Sequence, residues 1–362
     1  MRSNFTSLEG FFQEIKRREA AKMDIIAGAP SLRMQKDEFL VAGPEGSVFD
    51  KSFDAAGQIL PYAHGQLATK LNIPKQYYDR IGEVEGLRTY TVNRLLEHKG
   101  EPYMVRYLDG KARAILSDKF FPVDHQIILE GGVLGALARA GEIGKDVQIA
   151  SHSLSDVKMY LQVVFPRFTG EVRVGDPVQF GVSITNSEVG AGAADVRKMV
   201  WRLVCKNGAV GDSIVRRNHV GSRIEQSDLD VQSIYRRETM IAELKSFRMR
   251  LEDSISAFLT EASFESELQK LRVAADQKIA RPDVAIRNVT EHFQFTKEEY
   301  EDVMKQMGNA ADWTRYGLYN AVTALAHRET VDVDRTFEYE RAGQMVIDMP
   351  TADWRRLAED VA

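Results

Sequence analysis

One cysteine, Cys205, stands alone in a chain of 362 residues. That excludes an internal disulfide framework and a Cys-rich zinc site. The thiol lies in the apolar run Trp201 to Cys205, where it reads as a small buried hydrophobe. Long apolar runs are missing too, and nothing approaches the ~18 residues that a bilayer crossing needs. Met1 to Thr6 lack the apolar core of a secretory signal, so a cytoplasmic location away from membranes is the expectation. Positive charge is not in excess: the formal net charge is −5. Overall charge therefore cannot hold a polyanion, and any such site must be local. No P-loop ending in Gly-Lys-Ser/Thr and no dinucleotide fingerprint occurs, so no cofactor is expected.

What is present is a core-forming composition, 44% hydrophobic, with periodicity that changes along the chain. Thr6 or Ser7 can cap a helix to about Lys22, with Leu8, Phe11, Phe12 and Ile15 as its stripe. Leu32 to Val41 reads as a strand, turned at Gly43 to Gly46 and returned by Ser47 to Phe53. Helices follow from Pro61 to Leu71, Lys75 to Ile81 and Leu87 to His98; the two joined at Pro74 make an ordinary helical corner or, in outline, a helix-turn-helix. Asp109-Gly110 between Tyr103–Leu108 and Lys111–Leu116 is the strongest hairpin signal, since both turn positions need positive φ. Asp124 can cap a helix from Gln126 to about Ala140. Strands are expected at Val147–Ala150, Lys158–Pro166, Pro177–Thr185 and Val196–Cys205, with Asn207-Gly208 as a turn. From Tyr235 the spacing becomes helical, Ile241, Leu244, Phe247, Leu251 and Ile255 marking one long helix. The expectation is an α+β protein: a mostly antiparallel β-sheet core with packed helices and a helical C-terminal third. Its parts would be a helix and hairpin over 1–54, a β-rich core over 55–234, and helices over 235–362.

Three stretches carry candidate chemistry. Arg197, Lys198, Arg202, Lys206, Arg216, Arg217 and Arg223, with His219, crowd one segment in which Asp212 is the lone acid. Bound polyanion would relieve that self-repulsion by releasing counterions. Arg106 and Arg113 would assist, and Tyr107, Phe120 and Trp201 would stack bases. A solvated sheet face, with Arg stems lying on apolar surface, explains the same residues without a ligand. Second, Thr185 to Ala193, including Asn186, Ser187, Glu188 and Gly190, places small residues after a strand. Such a loop can expose N–H groups to a phosphate, or simply turn. Third, Asp118, Asp124 and His125, with Glu188 or His219, could gather a divalent metal, although none has diagnostic metal spacing.

Taken together, several motifs resemble the phage- and plasmid-related proteins of domain-of-unknown-function family 932. They are Ala63-His64-Gly65-Gln66-Leu67-Ala68, Asn72-Ile73-Pro74-Lys75, Arg113-Ala114-Ile115-Leu116-Ser117-Asp118-Lys119-Phe120 and Gly181 to Gly190. Arg202 to Gly208, His219-Val220-Gly221 and Gly317-Leu318-Tyr319-Asn320 complete the set. The order is kept from about residue 55 to residue 354. His125 stands where the family usually has Asn, and Lys206 where Thr is common. By association, the resemblance implies an ATP-independent single-stranded DNA-binding and annealing protein of a mobile element, working as a homo-oligomer in the host cytoplasm. A metal-dependent nuclease using Asp118, Asp124 and Glu188, and a protein-binding antagonist of host defence, remain open beside it. A binding protein is expected before an enzyme.

Overall fold

The computed structural model describes residues 8–42, 53–135, 147–204, 207–219, 237–327 and 333–359. Helix α1 (Leu8–Ala21) buries Phe11, Phe12 and Ile15, the stripe its spacing predicts. Strand β1 (Lys22–Gly28) follows it directly. The single strand expected over Leu32 to Val41 is instead a hairpin, β2 (Leu32–Gln35) and β3 (Glu38–Ala42). Lys36 makes the turn between them at φ 54°. Strand β4 (Phe53–Gln58) pairs with β3; the expected turn at Gly43 to Gly46 lies outside the described residues.

Pro61 opens helix α2 (Pro61–Lys70), where its missing N–H costs nothing. Asn72, at φ 55°, ends that block before α3 (Lys75–Gly82) and α4 (Leu87–Glu97). Tyr78, Ile81, Val92 and Leu96 point inward. Strands β5 (Pro102–Leu108) and β6 (Lys111–Ser117) form the expected hairpin, with Asp109 and Gly110 at φ 50° and 71°. Two three-stranded sheets result, ordered β1-β5-β6 and β2-β3-β4. Strands on both sides of residue 54 share one core around Leu32, Phe39, Leu67, Val105 and Ile115.

A larger antiparallel meander carries the second core. Its order is β11-β10-β9-β8-β7, built from β7 (Gln148–Leu154), β8 (Met159–Glu171), β9 (Pro177–Asn186), β10 (Ala194–Arg202) and β11 (Asn207–Arg217). Asn207-Gly208 is not the turn expected of it. Arg202 pairs with Asn207, so those two residues open β11 and the turn precedes them. Cys205, Lys206 and Arg223 fall outside the described residues. Val178, Phe180, Val182 and Ile184 face the main core, while Gln179, Ser183 and Thr185 alternate to the opposite face.

Helices α5 (Arg237–Phe258), α6 (Glu261–Asp276), α7 (Pro282–His292), α8 (Lys297–Ala310), α9 (Arg315–Ala324), α10 (Val333–Asp348) and α11 (Thr351–Glu359) form the C-terminal third. Thr260, Thr296 and Thr314 cap α6, α8 and α9, and Thr296 with Glu299 makes a full capping box. The helix expected from Gln126 is, where described, a π-helix (Ile127–Leu134). Its glycines let α5 approach: a Cβ on Gly131 would meet Arg248 Cγ at 2.1 Å, and one on Gly132 would meet Leu251 Cδ2 at 2.7 Å. The architecture is the α+β arrangement read from the sequence. No helix among the described residues is long and apolar enough to cross a membrane.

Candidate anion-binding site

Two features meet at the end of β9. The first is a buried charge cluster. Glu188 follows β9 and is almost wholly enclosed. Arg113 Nη2, on β6, donates to its Oε2 at 2.6 Å, and the His125 backbone N–H donates to its Oε1 at 2.8 Å. Arg106, on β5, is fully buried. It donates to both carboxylate oxygens of Asp24 (2.8 and 2.7 Å), to Asp124 (2.9 Å) and to the Glu188 carbonyl (2.7 Å). The Lys22 ammonium lies 2.5 Å from Glu19, 2.6 Å from Asp124 and 3.8 Å from Glu188. Burial would raise the Glu188 carboxyl, but His125, Lys22, Arg113 and Arg106 outweigh it and hold it well below the usual carboxylate range.

Neutral imidazoles complete the cluster. Burial pushes His125 down to about 4 and lowers His219 as well. Asn186 Nδ2 donates to the Val123 carbonyl and lies 2.9 Å from His125 Nδ1, while its Oδ1 lies 3.0 Å from His219 Nε2. That network assigns the proton of His219 to Nε2 and leaves His125 Nδ1 as an acceptor. Phe120 stacks on His219 with centroids 5.1 Å apart.

Glu19, Asp124 and Glu188 are close enough to hold a metal ion. Lys22 already supplies positive charge at that point. Asp118 is not among the three; its carboxylate accepts from Ser117 Oγ at 3.1 Å. His125 presents its backbone, and its ring is engaged by Asn186. Of the metal set read from the sequence, the fold brings Asp124 and Glu188 together, with Glu19 rather than Asp118 as the third carboxylate. The arrangement acts as a structural lock between the small sheet and the large one.

The second feature is a pocket of about 200 Å³ beside that lock. Its wall carries Lys158 from just before β8, Arg197 from β10, Arg216 from β11 and Arg341 from α10, against one carboxylate, Asp195. Tyr160, Thr185, Asn186, Ser187, Gly192, Ala193 and the Phe337 ring are also part of it. Asp195 and Arg216 are direct partners across β10 and β11. Arg197 Nε donates to Asp195 at 2.8 Å, its Nη1 to the Gly211 carbonyl at 3.1 Å, and its guanidinium lies 5.6 Å from the Phe337 ring. Arg216 and Arg341 are exposed and have no acceptor among the described residues.

The structure therefore brings together two of the basic residues read from the sequence, Arg197 and Arg216, with the loop after β9. Among the described residues it disperses the others. Arg106 and Arg113 belong to the lock. Lys198 pairs with Glu267 at 2.6 Å, Arg202 with Asp176 at 2.6 Å, and Arg217 with Glu243. A wide basic groove is not formed from them, because each has found a carboxylate, two of these on the C-terminal helices. The stacking rings are also reassigned. Tyr107 is buried and donates to the Phe39 carbonyl at 2.9 Å, and Trp201 and Phe120 pack in cores. In the loop after β9, Ser187 Oγ accepts from the Ala191 N–H at 2.9 Å and donates to the Val157 carbonyl, while Gly192 and Ala193 line the pocket. Gly190 supplies the φ of +80° that the turn requires. Lys158 and Arg341 escape a reading of the sequence because they lie far from the basic segment; only the fold joins them.

The family described as Domain of unknown function (DUF932) matches residues 114–347, roughly two thirds of the chain. The chain belongs to this family. The whole pocket lining and the Glu188 side of the lock fall inside the family match, whereas Lys22, Asp24 and Arg106 lie before it. No curated protein and no solved structure matches the chain.

Proposed function

We propose that this protein binds single-stranded nucleic acid through its phosphates, at the pocket lined by Lys158, Arg197, Arg216 and Arg341. The observation that carries the reading is the convergence of four cationic side chains from four separate stretches of the chain on one cavity with a single carboxylate. In a chain of net charge −5, such a local excess favours an anion by Coulomb attraction and counterion release. At about 200 Å³ the pocket is smaller than the ~300–1,000 Å³ typical of sites that enclose a whole small molecule. It suits one part of a longer ligand, a phosphate with its sugar, and the Phe337 ring offers a base a stacking face.

One pocket engages one or two phosphates, which is weak binding by itself. Useful affinity for a strand then comes from several copies of the chain acting together. We therefore attach to this site ATP-independent strand binding and annealing by a homo-oligomer of a mobile element. Fluorescence anisotropy with single- and double-stranded oligonucleotides at two salt concentrations tests it. An Arg216→Ala/Arg341→Ala variant, with folding checked by circular dichroism, should bind more weakly. Its salt dependence should shrink by roughly 0.7 in log–log slope for each phosphate it no longer neutralises. Unchanged affinity and slope would remove the proposal.

A further inference from the structure

Behind the pocket lies a carboxylic acid that the binding reading does not use. Glu340, on α10, is 1% exposed. Tyr160 Oη donates to its Oε2 at 2.6 Å and Gln162 Nε2 donates to the same oxygen at 2.8 Å. No lysine, arginine or histidine pairs with it among the described residues, unlike every carboxylate of the Glu188 lock. Among the described residues, the titratable groups that interact with it are two tyrosines, Tyr160 on β8 and Tyr319 on α9. Their own hydroxyls are pushed well above the ordinary phenol range, so neither supplies a charge near neutrality. An ionised carboxylate buried without a cation is costly, and the group takes a proton instead.

Tyr160 belongs to both structures: it holds Glu340 and it forms part of the pocket wall beside Arg341, the next residue along α10. We infer that the pocket takes its anion together with a proton held on Glu340, so that binding is strongest while this acid is neutral. This rests on the reading of the pocket as an anion site. Ionised Glu340 would place a negative charge one side chain behind the ligand; neutral Glu340 places none. Burial pushes its carboxyl up to about 8, so the change of state falls in an accessible pH range. By linkage, an anion in the pocket raises Glu340 further and protons are taken up on binding. Affinity then declines as pH rises through about 8.

The test uses the full chain and an oligodeoxyadenylate without a terminal phosphate, whose phosphodiesters keep constant charge from pH 6.5 to 9.5. Affinity of the natural chain should fall across that range, by about tenfold for each unit by which the anion raises Glu340. In Glu340→Gln, which keeps an oxygen for Tyr160 and Gln162, the fall should vanish. Binding by the natural chain with no pH dependence, or an equal fall in Glu340→Gln, overturns the inference while leaving the pocket. No binding at any pH overturns the pocket reading itself. A ligand-free readout guards against a failed variant. Urea midpoints of the natural chain should decline between pH 6.5 and 9.5 more steeply than those of Glu340→Gln, and parallel profiles would also refute the protonated acid.

Discussion

Replacing Glu188 by alanine tests the buried lock most directly. The change deletes the acceptor of Arg113 Nη2 and of the His125 N–H, and it leaves Arg113 2% exposed without its carboxylate. Breaking a buried ion pair from one side costs about 3–5 kcal/mol, mostly as the desolvation of the charge left behind. With a urea m-value near the top of the usual ~1–3 kcal/mol/M, the unfolding midpoint should drop by about 1–2 M. The pH dependence supplies a second check. The folded carboxyl is held below its ordinary value of 4.5. Its contribution is therefore complete above that value and is lost as pH falls through it toward the folded value. The gap between the natural chain and Glu188→Ala should be widest near neutrality and narrow below about pH 4.5. A double change, Glu188→Leu with Arg113→Met, should cost much less than the sum of the single changes, since no charge is then stranded. A loss under about 1 kcal/mol for Glu188→Ala would show a solvated cluster and refute the buried lock.

Lys22→Ala should lower the melting temperature by exposing Glu19, Asp124 and Glu188 to one another, and millimolar calcium or manganese should restore part of it. The natural chain, whose ammonium already fills that position, should respond little, and an equal response in both would sink this account. Gly57→Ala should destabilise by about 1–3 kcal/mol or more in chemical unfolding. Its Cβ would stand 1.9 Å from the Gly110 carbonyl oxygen, backbone that a flexible side chain cannot relieve. Gly100→Ala, with nothing within 4 Å of the added carbon, is the control and should be near neutral.

The elements with strong local signals were legible from the residues alone. The Asp109-Gly110 turn, the β9 alternation and the apolar spacing of the long helix from Arg237 each combine a propensity with a periodicity that points the same way. β1 was not legible: Lys22 to Gly28 is half exposed at a sheet edge and shows no clean alternation. The split of β2 from β3 was hidden because a positive φ at Lys36 has no sequence mark of its own. The candidate site was legible only in part. A run of arginines says how much charge must be balanced but not by what, and Glu267, Asp176 and Glu243 come from other elements of the fold. The Asn186–Glu188 motif announced itself by composition, yet its partners Lys22 and Arg106 are brought by strands far away in the chain.

That distance matters to anyone trimming the protein for study. A fragment cut to the family match at residue 114 would keep Asp124 and Glu188 but discard Lys22 and Arg106, and with them β5, the neighbour of β6. It would begin one residue after Arg113, so both acids would face an interior emptied of cations. The natural unit for expression is therefore longer than the family segment, and must include the first strand.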